Sequence, residues 1–235
     1  MLEFKHLNIN IAIEEAKKYG FNQKIEINEK TKYFHFCWFG NNKMSELHLK
    51  CLNSWKEYLS NDYVLCLWNE NCFDVESHSF VKNAYDDECW AFVSDYVRLL
   101  VIYEFGGVYF DTDVELLKPI DDLPDNFFCL ENGFNSIATG LGFGSLRKNE
   151  LILGILKEYD IIKYRIKHKW MISCPKITTN YFFKLGYKTV YDKINYFKEF
   201  VIYPSEYFSP INFKTHEIKM TDNTYSIHHY ANSWN

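Results

Sequence analysis

Two aspartates, Asp111 and Asp113, stand at the end of the apolar run Val108, Tyr109, Phe110 with only Thr112 between them. Carboxylates brought this close repel each other and resist desolvation, so a positive partner is expected beside them. Side chains two apart on a strand share a face, which lets both serve one cation. Carboxylate oxygens are hard ligands suited to Mn²⁺ or Mg²⁺, whose coordination is commonly completed by waters and substrate phosphates. A nucleoside diphosphate fits that chemistry. The D-x-D pattern alone is a weak signal, because most instances are surface turns. Its context here raises it, since Gly106-Gly107 lets the backbone bend tightly just ahead of the run.

The stretch SDYVRLL, Ser94 to Leu100, precedes it. Asp95 and Arg98 are three apart and share a helix face amid apolar neighbours. One reading is a half-buried ion pair that holds the helix on a sheet. The other is a hydroxyl-binding pair, in which the carboxylate accepts from sugar hydroxyls and the guanidinium donates to them. The two readings are compatible.

Periodicity supplies the elements that position these residues. An amphipathic helix over residues 10–19 stops at Gly20 and leads into a polar connector, so residues 1–30 read as a helical appendage to a main domain spanning 31–235. YFHFCWF (33–39) is a buried strand, residues 46–59 carry a helical apolar stripe, and YVLCLW (63–68) is the next strand. Strand, helix, strand is a βαβ unit and implies parallel pairing. A helix over 87–105 leads to the strand bearing the aspartates. Further strands are expected at 126–131, 200–203 and 225–230, helices at 149–163 and 176–185, and a glycine-punctuated loop around Gly140, Gly142 and Gly144. The class is α/β, and in open α/β sheets ligands bind beyond the carboxyl ends of the strands.

With 26 basic against 31 acidic residues and no basic block, nucleic-acid binding is not expected. The basic stretch KYRIKHK (163–169) reads as a solvated helix face, with contact to an anionic inner-membrane surface as the minority reading. Aromatic residues make up 19% of the chain, which suits an aromatic core and leans gently toward a sugar-handling cleft. Seven cysteines form an odd set without a C-x-x-C pair and read as buried thiols of a reducing compartment. The first residues lack a signal-peptide pattern and no window approaches a membrane span, so a cytoplasmic setting is expected.

SDYVRLLVIYEFGGVYFDTDVEL resembles glycosyltransferase family 32, the retaining sugar-nucleotide enzymes of bacterial capsule synthesis, related to fungal initiating mannosyltransferases and the glucosylating domains of large clostridial toxins. YFHFCWFGNN, PSEYFSPINF and SIHHYANSW agree with it in the family's order, and together the four stretches run from Tyr33 to Trp234. The resemblance implies a GT-A fold with a central mixed sheet, a nucleotide-sugar donor (UDP-linked by expectation) and a glycan or lipid-linked oligosaccharide acceptor. It implies Asp113 as a direct metal ligand, with Asp111 serving the metal or the ribose beside Thr112. Trp38 falls where family members stack on the uracil, and Asp95 and Arg98 where the donor sugar is gripped. Ser233 and Trp234 fall in a segment that closes over the diphosphate. His229 matches a histidine supplying a third protein ligand, and since His228 points to the opposite face of a strand, only one of the two should ligate. Asn135 and Thr139 are expected donor or acceptor contacts, or simple turn residues. One departure is Ser173-Cys174-Pro175, where relatives show Thr-Gly-Pro.

Two rivals remain at this level. A haloacid-dehalogenase-like phosphohydrolase also carries a strand ending in D-x-D, but needs a later acidic pair at another strand end, and none suits. A non-catalytic sugar-nucleotide-binding protein has little use for paired carboxylates.

Overall fold

A computed structural model describes residues 7–22, 27–28, 31–164 and 171–231. Period-two alternation in β1 (Lys32–Cys37) sends Phe34 and Phe36 to one face, where their rings meet Trp55 of α2 (Glu46–Tyr58) at 4.9 and 5.2 Å. His35 and Cys37 go to the other face. There α3 (Ser79–Asp86) and α4 (Trp90–Phe105) pack against the sheet with β2 (Tyr63–Trp68), whose residues are all buried. Two aromatic-rich cores therefore lie on opposite faces of one sheet.

The sheet continues with β3 (Gly107–Tyr109), β5 (Phe127–Cys129), β6 (Phe143–Ser145), β7 (Asn195–Phe197) and β8 (Phe200–Tyr203). Its order is β2-β1-β3-β6-β5-β8-β7. β1 pairs parallel with β2 and β3, β6 runs antiparallel to both β3 and β5, and β7 runs antiparallel to β8. The result is the α/β architecture with a central mixed sheet, consistent with a GT-A fold. A second, two-stranded sheet pairs β4 (Val114–Leu116) with β9 (Ser226–His228). Helices α5 (Glu150–Ile161) and α6 (Cys174–Lys184) complete the layer beside α4, and α1 (Ile9–Lys17) packs beside β2 with Ala12 and Ala16 fully buried. Among the described residues, no helix is long and apolar enough to cross a membrane.

The turn from α4 into β3 fixes where the aspartates arrive. Gly106 and Gly107 have φ of 72° and 96°, and a Cβ on Gly107 would stand 2.3 Å from the Tyr33 carbonyl oxygen. Only glycine allows β3 to approach β1 this closely. His35 locks the same corner, because its Nε2 lies 3.0 Å from the Gly106 carbonyl and its Nδ1 accepts from Trp68 Nε1 at 3.1 Å. Those partners select the neutral Nε2–H tautomer, and burial pushes the imidazole down to about 4.

Several expectations give way. The glycine-punctuated loop contains β6, α3 and β7 were not anticipated, and the helix expected from residue 87 starts at Trp90. Asp111 and Asp113 do not lie along a strand. They sit in a turn between β3 and β4 that is closed by the Val114 N–H donating to the Asp111 carbonyl at 3.0 Å.

Candidate functional site

That turn opens into a cleft of about 1180 Å³ beyond the carboxyl end of β3, and Trp38, Asp95, Arg98, Asp111, Thr112 and Asp113 all line it. Arg98 is buried and holds two carboxylates, with Nη2 at 3.2 Å from Asp95 and 3.0 Å from Asp111. Its guanidinium lies over the Tyr109 ring at 4.9 Å, and the Tyr109 hydroxyl donates to Asp111 at 2.7 Å. Asp95 also accepts from the Cys174 N–H at 3.2 Å, so it caps the first turn of α6. The ion-pair reading of Asp95 and Arg98 holds as geometry, and both face the cleft. Burial, only partly offset by Arg98, pushes the Asp95 carboxyl up to about 6.

Asp113 is drawn to β9. The His229 N–H donates to the Asp113 carbonyl at 3.0 Å and the Ala231 N–H to its carboxylate at 2.9 Å. Register places Val114 opposite His228, which brings His228 Nε2 to 3.2 Å from Asp113. Burial disfavours charge on both groups, yet their mutual attraction wins, holding Asp113 below and His228 above their ordinary values.

The expected ligand His229 goes elsewhere. As period two requires, it faces away from His228, and its Nε2 lies 2.8 Å from Glu115, which also takes Lys50 at 2.7 Å. The structure therefore brings together Asp111, Asp113 and His228, with one ligand atom from each inside a 4.8 Å span. The His228 Nδ1 is buried without a hydrogen-bond partner among the described residues. Two carboxylates and an imidazole suit Mn²⁺ or Mg²⁺. Charge points the same way, because Asp95, Asp111 and Asp113 gather around a single guanidinium, Arg98, with the His228 and His48 imidazoles nearby.

Other expected residues divide. Trp38 lies at the rim, where its indole N–H donates to the Asn42 carbonyl at 2.7 Å and its ring meets His48 at 4.8 Å. Asn135 is exposed in a turn at φ 54° and is not among the residues lining the cleft, while Thr139 is buried and donates to Cys174 Sγ at 3.2 Å. Cys174, at the departure from the relatives' pattern, lies 3.7 Å from Arg98 Nη1. Ser233 and Trp234 lie outside the described residues, as do 165–169 of the basic stretch.

Sequence reasoning missed Glu131 as a cleft group and Tyr109 as the buried support of Asp111. Tyr109 was signalled by parity, since it stands two before Asp111 on the approach to the turn. Glu131 follows β5 at a strand's carboxyl end and was read only as the end of that strand.

Residues 45–128 match the family model described as the glycosyltransferase sugar-binding region containing DXD motif. No curated protein matched the chain. Among solved structures, a glycosyltransferase titled PaToxG is similar at TM-score 0.51 and 17% identity, over 75% of this chain and 79% of that one. At that identity the likeness speaks for the fold. Asp95, Arg98, Asp111 and Asp113 all fall within the matched residues, so the part of this chain that builds the carboxylate cleft is similar to the sugar-binding, DXD-bearing region of glycosyltransferases.

Proposed function

We propose that the chain is a metal-dependent retaining glycosyltransferase that moves a hexose from a nucleotide-sugar, UDP-linked in our reading, to a glycan or lipid-linked oligosaccharide. One observation carries this reading: Asp111, Asp113 and His228 converge at the mouth of a cleft that also holds the buried Asp95–Arg98 pair. A divalent cation held there would supply Lewis-acid stabilisation of a leaving diphosphate. The chain's own residues do the rest. Arg98 is charged, desolvated and anchored on two carboxylates, the Ser94 carbonyl and a ring, so the edge of its guanidinium that lines the cleft is a fixed donor for a sugar hydroxyl. Asp95 accepts from such hydroxyls, Tyr109 fixes Asp111, and Trp38 offers a rim indole to a nucleobase.

A screen of UDP- and GDP-sugars for hydrolysis, with and without Mn²⁺, tests this. At least one sugar nucleotide should be consumed faster with Mn²⁺. Indifference of the whole panel to the metal would refute the proposal.

A further inference from the structure

Two phenylalanines stand in water at the rim of the cleft, Phe134 51% exposed and Phe213 38% exposed. They come from different loops, one following β5 and the other bracketed by the Ile211–Ile218 bridge. The loops are tied together. The Phe213 N–H donates to the Asn132 carbonyl at 3.2 Å, the Asn132 amide to the Pro210 carbonyl at 3.3 Å, and the Asn212 amide to Asn132 Oδ1 at 3.2 Å. Gly133, at φ 96°, lets the first loop close on Asn212, whose Oδ1 would stand 2.9 Å from an added Cβ. Exposed rings on floppy loops need no explanation, but here several bonds hold them side by side at 5.3 Å.

The rings also lead somewhere. Phe213 meets Tyr230 at 5.0 Å, and Tyr230 meets His228 at 4.3 Å, so an unbroken aromatic path runs from solvent to Asp113. Beside it, Glu131 projects into the cleft with one oxygen held by the Ser136 hydroxyl at 3.1 Å. Strand order separates this wall from the Trp38 side. Trp38 follows β1, next to β3, whereas Glu131 follows β5, which is two positions beyond β3 in the opposite direction and parallel to it. At roughly 4.8 Å per strand that is about 10 Å from β3, which leads into the aspartate turn, enough for a second ligand.

We infer that this wall is the acceptor subsite and that its occupant is a pyranose ring, stacked by its C–H face on Phe134 and Phe213 with a hydroxyl donated to Glu131. The inference rests on the transferase reading and names the acceptor class for the same cleft. A pyranose presents an apolar C–H face and hydroxyl donors together. A lipid tail has no donor for the carboxylate, and a phosphate or acidic peptide is repelled by it. The Lys214 ammonium, 4.4 Å from the Phe134 centroid, adds a donor at the same edge.

The test reads binding directly. A panel of methyl α- and β-glycosides of glucose, galactose, mannose and N-acetylglucosamine is titrated by saturation-transfer NMR, with and without UDP and Mn²⁺. At least one glycoside should bind the native protein, and Phe134→Ala, Phe213→Ala and Glu131→Gln should each weaken it by about tenfold, the scale of one lost ring or charge-assisted contact. UDP affinity measured with Mn²⁺ should stay within about twofold in all three, which separates a lost subsite from a lost fold. Failure of every glycoside to bind, survival of binding in the variants, or an equal loss of UDP affinity overturns the inference. Failure of UDP and Mn²⁺ to bind the native protein strikes the transferase reading instead, since the glycoside titration without nucleotide stands by itself.

Discussion

His228 Nε2 lies 3.2 Å from Asp113 Oδ1, while the adjacent His229 turns to Glu115 at 2.8 Å. His228, the last residue of β9, and His229, the first beyond it, thus belong to two separate charge clusters. We expect His228→Asn to weaken Mn²⁺-dependent UDP binding by about tenfold or more, the usual scale for a metal-ligand or supporting residue. His229→Asn should leave that binding near native and affect only the exposed Glu115–Lys50 pairing. Calorimetric titration of both variants decides which histidine serves the site, and the reverse pattern would reinstate His229.

Gly140 is a second discriminating position. Its carbonyl accepts from the Asp111 N–H at 3.0 Å, and a Cβ added there would stand 2.2 Å from Asp111 Oδ2. That carboxylate is already held by Tyr109 and Arg98, so it can yield only by breaking those contacts. Gly140→Ala should therefore cost stability on the order of 1–3 kcal/mol, as overpacking does, and lower UDP affinity in Mn²⁺ more than in its absence. Undiminished enhancement of UDP binding by Mn²⁺ in this variant would contradict the placement of Asp111.

Asp95 separates charge from scaffold. Asp95→Ala leaves the α6 N-terminus uncapped and removes one partner of a buried guanidinium, a change that costs about 3–5 kcal/mol. Asp95→Asn keeps the shape and leaves Arg98 paired with Asp111. We expect the Asn variant to melt near the native protein and bind UDP normally, yet to turn over the sugar nucleotide poorly. Native turnover in a folded Asn variant would reduce Asp95 to a structural group.

How much of this was readable in the sequence follows from what kind of interaction fixes each part. Strand β2 and the α2 stripe were legible because six buried residues or a helical repeat carry the signal locally. Strand β6 was not, since three residues with Gly144 at their centre and Gly142 just ahead gain strand geometry only by pairing with their neighbours. The Asp95–Arg98 pair and the two aspartates were legible from spacing. The choice of His228 depended on the register of β9 against β4, a contact across more than a hundred residues that no local pattern encodes. Phe134 and Phe213 meet only through hydrogen bonds between two loops.

His35 gives a pH dependence. Its imidazole is neutral in the fold down to about 4, whereas the ordinary value is 6.5. Between these values the unfolded chain binds the proton and the folded chain does not, so stability falls as pH falls. By pH 5 the loss from this group is about 2 kcal/mol. Asp95 works the other way, since a carboxyl raised to about 6 in the fold contributes stability that is present below 3.8 and lost as pH rises through 6. The native protein alone would blur the two. Denaturant midpoints at pH 7 and pH 5 for native and His35→Gln proteins isolate the histidine, and the native protein should lose about 2 kcal/mol more than the variant. Parallel losses would mean that His35 titrates normally.

Asp113, in our proposal, belongs to a cation site that recruits a nucleoside diphosphate. Calorimetric titration of UDP into the native and Asp113→Asn proteins, each with and without Mn²⁺, tests it most directly. We expect Mn²⁺ to strengthen UDP binding to the native protein by about a hundredfold, or near 2.7 kcal/mol, and to have no effect on the variant. Equal enhancement by Mn²⁺ in both proteins would contradict it.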